Sequence, residues 1–494
     1  MGPLQQILSG LSDAPPRRLT HTFYSLVVAA ILEGRLAHGL RLPASRELAR
    51  DIGISRNTVV SVYDRLMNEG YATPRQGRGV FVTHAAHKTR PRSAAIGEGH
   101  YRRHVAANWQ GVEKQNLSKE GIVHDLYPGV PDTSFFPADV WRRLCARAAR
   151  GHRFGERAYG ETQGREGLRG AIASHLSLTR AVSCVADDVV VTGGTQQALD
   201  LLCRFLVTPG QTTVAIEEPG YIFARRAFEM AGARIVPVPV DADGLVVARL
   251  PEDVDLIFVA PSHQFPMGCV MSPERRRELI AFAAARGALI LEDDYQAEFP
   301  VPGKPADALQ SLDTHETVFY IGTFSKCMFP ELRLGFIVPP GWAMAPLLAA
   351  KQFSFHESPR LEQDALAAFI AEGHLARHIR KMREVYEAKR IAMVRALKRH
   401  CGKWIAGINT DGGVYITVRL ADTVDALDVA GQCRTRGLRV MPLDVLYSGE
   451  AGVNGFVIGL GRVPLGQIDA AIAGVAQCLA ERETAGEGRL RAAN

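Results

Sequence analysis

Nowhere in these 494 residues does an unbroken apolar run reach the ~18–20 residues of a membrane-spanning helix, which excludes a helical span. The opening stretch MGPLQQILSG has no basic region ahead of an apolar core, so no secretory signal is expected. Glycine shows no three-residue period and no heptad is sustained, which excludes collagen-like and coiled-coil classes. Cysteine is sparse. The eight, at 145, 184, 203, 269, 327, 401, 433 and 478, form no CxxC pair and share no zinc-finger spacing with histidine. They read as buried thiols in a reducing cytoplasm, with no metal site. Lysine is missing altogether from residues 1–83, which carry ten arginines against six acids.

What is present is an average globular composition, 47% hydrophobic and 22% charged, which excludes disorder over most of the length. A chain of this length holds about two to four domains. The net charge of +6 is unevenly placed: residues 1–83 and 84–121 each carry a net +4, and residues 122–494 a net −2. A small basic domain ahead of a nearly neutral body points to a polyanion partner, although a chance imbalance of surface charge gives the same count.

The first 83 residues alternate helix and turn signals. Phe23, Leu26, Val27, Ala30 and Ile31 have helical spacing within Thr22–Arg35. Ser45 is placed to cap a short helix, Arg46 to Asp51, and Ser55 a third, Arg56 to Glu69, with Val59, Val62, Tyr63 and Leu66 inward. Tyr71 to Val82 reads as two strands around the turn Gln76-Gly77-Arg78-Gly79. Three helices and a hairpin, with a glycine-containing turn before the third helix, give the winged helix-turn-helix order. That geometry puts Arg56, Asn57 and Thr58 on the first turn of a recognition helix, and arginine and asparagine suit bidentate base contacts. Arg75 and Arg78 flank the wing tip, where phosphates or the minor groove would lie. A small helical domain that binds protein is the plainer alternative.

Residues 42–82, LPASRELARDIGISRNTVVSVYDRLMNEGYATPRQGRGVFV, closely resemble the GntR-type winged-helix family of bacterial repressors. The resemblance implies contacts to double-stranded operator DNA from Ser45, Arg46, Ser55, Arg56, Asn57, Thr58, Arg75 and Arg78. Residues 84–121, without periodicity, read as a linker between independently moving domains.

From about residue 122 short β-branched runs alternate with helical stretches. The runs are 189–192, 213–216, 256–259, 289–291 and 318–321, and helices are expected at Thr195–Leu206 and Pro273–Arg286. Such parallel sheets bind ligands at the carboxyl ends of their strands. Five motifs sit at those ends. Gly193-Gly194-Thr195-Gln196 opens a helix, as a phosphate site does, or as any helix entry does. Glu217-Glu218-Pro219-Gly220-Tyr221 brings an aromatic after a strand. Glu292-Asp293-Asp294-Tyr295 offers strand-end carboxylates, or caps for the next helix. Gly322-Thr323-Phe324-Ser325-Lys326 puts a lysine where desolvation favours a Schiff base, though a lysine on its own is usually a surface group. Arg333, within Leu332-Arg333-Leu334-Gly335, is suited to clamp a phosphate, or is simply exposed. Their order matches the demands of pyridoxal 5′-phosphate (PLP): a lysine for the aldehyde, a carboxylate for the pyridinium nitrogen, a stacking ring and a phosphate cradle.

The body resembles fold-type I aminotransferases through LYPGVPDTSFFP (126–137), YGETQGREGLRGAIASHL (159–176), VTGGTQQALDLLCRFL (191–206), APSHQFPMG (260–268), EDDYQAEF (292–299), GTFSKCMFPELRLGF (322–336) and EGHLARHIRKMREVY (372–386). With its first domain, the chain is similar to MocR/GabR-type regulators over about residues 20–480. The resemblance implies a Schiff-base lysine at Lys326, a pyridinium partner at Asp293, Tyr295 near the cofactor's phenolic oxygen and Tyr221 on the ring face. Gly194, Thr195, Gln196, Thr323, Ser325 and Arg333 would hold the phosphate. Two stretches depart from the aminotransferase pattern. His263 and Gln264, followed by Phe265-Pro266-Met267-Gly268, stand where Asn-Pro-Thr-Gly is usual, so His263 is taken as a cofactor contact in place of the asparagine. Phe456, in Gly455-Phe456-Val457-Ile458-Gly459, stands where a carboxylate-binding arginine is expected, with Arg462 nearby as a substitute for effector binding.

The expected fold is therefore multidomain. A winged helix-turn-helix (α+β) spans 15–83, a linker 84–121, and an α/β fold-type I PLP domain 122–482. A small α+β subdomain occupies about 390–482, and 483–494 form a disordered tail. The expected function is a cytoplasmic, homodimeric, DNA-binding transcriptional regulator that senses PLP or a small amino-compound effector through Lys326, with no membrane partner and possible residual transamination. The alternatives are an active aminotransferase with an appended DNA-binding domain, or a body that only dimerises.

Overall fold

A computed structural model describes residues 19–83, 104–109, 121–151, 161–301, 307–411, 413–449 and 452–483, the backbone of 484–493, and four positions near the N-terminus. The chain forms two compact units, Met1–Gln110 and Gly111–Asn494.

In the first unit, α1 (Leu19–Leu32), α2 (Ser45–Asp51) and α3 (Arg56–Asn68) precede an antiparallel hairpin of β1 (Ala72–Arg75) and β2 (Gly79–Val82). The helical stripes read from the sequence meet in one core: Phe23, Val27, Ile31, Leu48, Val59, Val62 and Leu66 have no solvent exposure. Each such side chain contributes roughly 1.5–3 kcal/mol by leaving water. Ser55 caps α3, its hydroxyl accepting Thr58 N–H at 3.1 Å. Ser45 does not cap α2. The helix starts one residue earlier than its pattern suggests, Ala44 holds the cap position in extended backbone, and Ser45 lies inside the first turn. Tyr63 ties α3 to that entry by donating to Pro43 O at 2.9 Å.

In the second unit a two-residue strand β3 (His124–Asp125) pairs with β14 (Leu438–Arg439). The main sheet has eight strands. Their order is β4 (Val190–Thr192), β11 (Gly335–Val338), β10 (Val318–Thr323), β9 (Leu289–Asp294), β8 (Leu256–Val259), β5 (Thr213–Glu218), β6 (Arg234–Asp241) and β7 (Gly244–Leu245). β5, β6, β8, β9 and β10 run parallel, while β11 is antiparallel to both its neighbours and β7 folds back on β6. All five strands expected from the sequence are present, and helices α4 (Thr195–Leu206) and α5 (Pro273–Arg286) have the expected ends. Val214, Phe258, Leu291 and Phe319 enter one apolar cluster, and their neighbours Ala215, Ile257, Ile290 and Val318 another. Both faces of the sheet are thus buried, which is why its strands read as continuous apolar runs.

The small subdomain follows a long helix, α6 (His374–Cys401). Its antiparallel sheet runs β12 (Ile405–Asn409), β13 (Tyr415–Leu420), β16 (Gly455–Gly459) and β15 (Met441–Pro442), backed by α7 (Ala426–Thr435) and α8 (Ile468–Ala493). The expected disordered tail differs from this: the α8 backbone continues to Ala493, through a stretch rich in the helix formers Ala, Glu and Arg. Most of the expected linker, 84–103 and 110–120, lies outside the described residues. All eight cysteines are free thiols. Among the described residues no helix is long and apolar enough to cross a membrane.

Candidate functional site

The carboxyl ends of β5, β8, β9 and β10 open into a cavity of about 470 Å³. Strand alternation sorts the three acids at the end of β9. Glu292 accepts Leu309 N–H at 2.7 Å and Gln310 N–H at 2.9 Å, and Asp294 accepts Arg180 Nε at 2.7 Å and the Tyr320 hydroxyl at 2.7 Å. Both are structural. Asp293 between them lines the cavity, is 4% exposed, and has an Oδ1 with no hydrogen-bond partner among the described residues. Burial pushes its carboxyl up to about 7; Asp294 pushes the same way and Lys326 opposes it.

Lys326 follows β10. Its Nζ donates to Gly129 O at 2.6 Å and lines the same cavity. Burial lowers its ammonium to about 8, against the attraction of Asp293. A less solvated amine gives up its proton more readily and is the better nucleophile.

The anion end lies at the start of α4. Gly194 caps the helix at φ +87°, and Thr195 and Gln196 form its first turn. A Cβ on Gly194 would lie 3.6 Å from the Arg333 guanidinium, which therefore covers the helix N-terminus. Arg333 itself holds a left-handed φ of +50°, a conformation rare outside glycine. Thr323 and Ser325 add hydroxyls 3.1 Å apart. The N–H groups of a helix's first turn, the helix dipole, hydroxyls and a guanidinium make an anion cradle.

Tyr221 supplies an aromatic wall, edge-to-face with Phe265 at 6.5 Å between centroids. Tyr295 lines the cavity and donates to His263 O at 2.9 Å. His263, expected to touch the cofactor, is not in the cavity wall. It sits behind two tyrosines, with Nδ1 3.0 Å from the Tyr415 hydroxyl and Nε2 3.0 Å from Asp411 O. It positions Tyr295 and Tyr415 rather than reaching into the pocket. Gln264 is likewise a brace, donating to Pro219 O and Phe265 O at 2.8 Å each.

Tyr415, Glu217 and Arg439 are among the wall residues that escaped the sequence reading. Tyr415 lies on β13 of the small subdomain. Glu217, at the end of β5, has one oxygen on Ala260 N–H at 3.2 Å and the other without a partner among the described residues; burial raises its carboxyl to about 8. Arg439, on β14, bonds Asp125 through Nε at 2.9 Å and Nη2 at 2.8 Å. Alternation along β5 marks Glu217 as inward, whereas Tyr415 and Arg439 reach the cavity only through tertiary folding. Phe456 does not enter the wall; it is buried in β16, paired with Val418 and Pro442. Arg462, beyond that strand, does line the cavity and bonds Asp125.

The pocket fits PLP. An acid with an unpartnered oxygen suits a ring N–H, the desolvated lysine suits an aldehyde, and the α4 cradle suits a phosphate. When bound, that cofactor supplies an electron sink for amine chemistry.

In the first unit, Arg56, Asn57, Arg46, Arg75 and Arg78 are exposed, as direct contact with a nucleic acid requires. Thr58 Oγ1 lies 2.8 Å from Ser55 Oγ, so both hydroxyls serve the cap. The Arg75 guanidinium packs 4.6 Å from the Phe81 ring centre at the wing.

A winged helix on one unit and a PLP-type pocket on the other define a class: an aminotransferase fold joined to a DNA-binding module. Residues 19–82 match the bacterial regulatory proteins of the gntR family, and residues 130–452 match aminotransferase class I and II. The chain is 35% identical to the probable rhizopine catabolism regulatory protein MocR of Rhizobium meliloti, over 92% of this chain and 91% of that protein. It is 31% identical to the HTH-type pyridoxine biosynthesis transcriptional regulator PdxR of Corynebacterium glutamicum, over 90% and 92%. The second unit resembles a kynurenine aminotransferase from Pyrococcus horikoshii at TM-score 0.70 and 25% identity, covering 78% of this chain and 98% of that one. An archaeal alanine:glyoxylate aminotransferase gives TM-score 0.71 and 27% identity, covering 77% and 99%. The chain belongs to the MocR-type branch of the GntR family of transcriptional regulators, which carry an aminotransferase class I and II domain.

Proposed function

We propose that this chain is a PLP-dependent, DNA-binding transcriptional regulator whose aminotransferase-like unit senses PLP itself or a small amino compound. One observation carries this reading: the buried Lys326 amine and the unpartnered Asp293 oxygen share a cavity with the Gly194–Arg333 anion cradle. Asp293 would hold a proton at the ring nitrogen, Tyr221 would orient the ring, and Thr195, Gln196, Thr323, Ser325 and Arg333 would anchor the phosphate. Lys326 would hold the cofactor through its amine, the group with which an effector amine would compete. The linker over about 84–121 joins this unit to the winged helix of 15–83. The chain acts in the cytoplasm as a homodimer whose paired α3 helices read two half-sites of an operator duplex through Arg56 and Asn57, with Arg75 and Arg78 on phosphates.

The test is the visible absorption spectrum of purified protein with PLP, followed while amino compounds are added. The native chain gives a cofactor band that one compound shifts, and Lys326→Ala gives no such band. An identical band in Lys326→Ala would exclude the lysine assignment. The completeness of the cofactor residues also supports a second reading, an active aminotransferase. Steady conversion of the band to the pyridoxamine form, retained when residues 1–83 are removed, would favour it.

A further inference from the structure

The segment that supplies Gly129 O to Lys326 is fastened to the small subdomain along its length. At its start Gly437 O accepts Val123 N–H at 2.7 Å and His124 N–H at 3.0 Å, and β3 then pairs with β14. In its middle Leu126 O accepts Gly459 N–H at 2.7 Å. At its far end Asp132 accepts Lys389 Nζ of α6 at 2.6 Å. The same ammonium donates to Leu460 O and Gly461 O at 3.0 Å each, so its three donors are used. The Tyr386 hydroxyl, also on α6, accepts Asp132 N–H at 2.9 Å. The fit leaves no room for side chains. A Cβ on Gly437 would lie 2.8 Å from Gly121 O, and one on Gly459 would lie 2.6 Å from Tyr127 O.

Lys326 belongs to a different part of the unit, just beyond β10 of the main sheet. Its bond to Gly129 O at 2.6 Å therefore ties the reactive amine to a segment that otherwise follows the small subdomain. Two features make this tie informative. An ammonium on a carbonyl is a charge-assisted hydrogen bond, the stronger kind. It is also one that the chemistry of the amine removes. When Lys326 condenses with an aldehyde, its ammonium first gives a proton to solvent. A C=N bond then forms, and the aldehyde oxygen departs as water with the two remaining amine hydrogens. Gly129 O has lost that donor. The other end of the segment is just as telling, because the linker over about 84–121 joins it at Gly121, beside the Gly437 contact.

We propose that Gly121–Asp132 is a strap that carries the state of the Lys326 amine to the root of the linker. Asp132 and Lys389 anchor its far end, Gly129 O reads the amine, and Gly437 holds the end from which the linker departs. A free amine pins the strap to the main sheet; an engaged amine leaves it to the small subdomain alone. This rests on the reading of the Lys326 pocket as the sensing site, and it gives that site a route to the linker through named backbone contacts.

The test is hydrogen–deuterium exchange on the full-length chain with and without PLP, with the visible cofactor band reporting occupancy. In the native chain the amides of Val123, His124 and Leu126 should exchange about 3- to 10-fold faster with PLP bound, the change expected for one lost hydrogen bond. Lys326→Ala lacks the donor in both conditions, so it should exchange at the faster rate without PLP and not respond to it. Gly437→Ala displaces the root of the strap at a distance from the pocket. It should keep the cofactor band and lose the PLP-dependent change in affinity for a duplex that the native chain selects. Where circular dichroism shows Gly437→Ala unfolded, the exchange comparison decides. Three results each overturn the strap alone: equal exchange in the native chain with and without PLP, slow exchange in cofactor-free Lys326→Ala, or a folded Gly437→Ala chain with the native response on DNA. A native chain with no cofactor band overturns the pocket reading as well.

Discussion

At the scale of the residue, Asp293 and Lys326 are both poised to titrate near neutrality. A buried carboxyl whose folded value is raised contributes stability below its unfolded value, and that stability is lost as pH rises through about 7. Glu217, raised to about 8, acts in the same direction, while Lys326, lowered to about 8, costs stability as pH falls from the ordinary lysine range toward that value. Urea unfolding of the cofactor-free chain at pH 5.5 and at pH 8 measures the balance. Asp293→Asn should shrink the loss between the two by about 2 kcal/mol, because a proton held only by the folded chain is worth about 1.4 kcal/mol for each pH unit crossed. An unchanged difference would mean that Asp293 is not a buried neutral acid. Arg333→Ala tests the other end of the pocket. With a charge-assisted contact worth about 1.5–3 kcal/mol, it should weaken PLP binding roughly 10- to 100-fold in an equilibrium titration. Legibility in the sequence divides these charged residues. Asp293 is legible because it ends an apolar strand, whereas Arg439 follows no such run and acquires meaning only when β14 meets β3 beside the cavity.

At the scale of the element, helices and strands follow their local signals closely because those signals agree with the packing. The α3 helix begins where Ser55 can cap it, and Ser55→Ala should lower the stability of the first unit by about 1 kcal/mol in thermal melts. Ser45 shows the limit of that inference: a serine before a helical run is a cap only if the backbone leaves it outside the first turn. The β10–β11 pair carries a steric signal that composition does not show. Gly322 faces Phe336 across the antiparallel pair, and a Cβ there would sit 2.2 Å from the ring. Gly322→Ala should therefore cost about 1–3 kcal/mol by overpacking, and a neutral melting temperature would contradict the register. The small subdomain is less legible. Its span is expected, but β13 brings Tyr415 to the site only through tertiary folding.

At the scale of the whole molecule, the chain joins two chemistries that its sequence shows separately. An Arg-rich winged helix is built for DNA, and the proposed task of the lysine pocket is to sense PLP or an amino compound. A ligand in one shifts affinity at the other only by binding two states of the protein unequally, and the coupling is reciprocal. The DNA contacts divide by role. Arg56→Ala, on the first turn of α3, should cost about 1–3 kcal/mol and relax sequence preference, whereas Arg78→Ala should weaken all duplexes alike and lower the salt slope by about one. The most direct measurement is fluorescence anisotropy of the full-length chain on a duplex that it has itself selected from a randomised pool, with and without PLP. PLP should change the dissociation constant of the native chain and leave that of Lys326→Ala unchanged. Equal affinities with and without PLP in the native chain, both alone and with the amino compound that shifts its cofactor band, would contradict a regulator that reads its cofactor pocket.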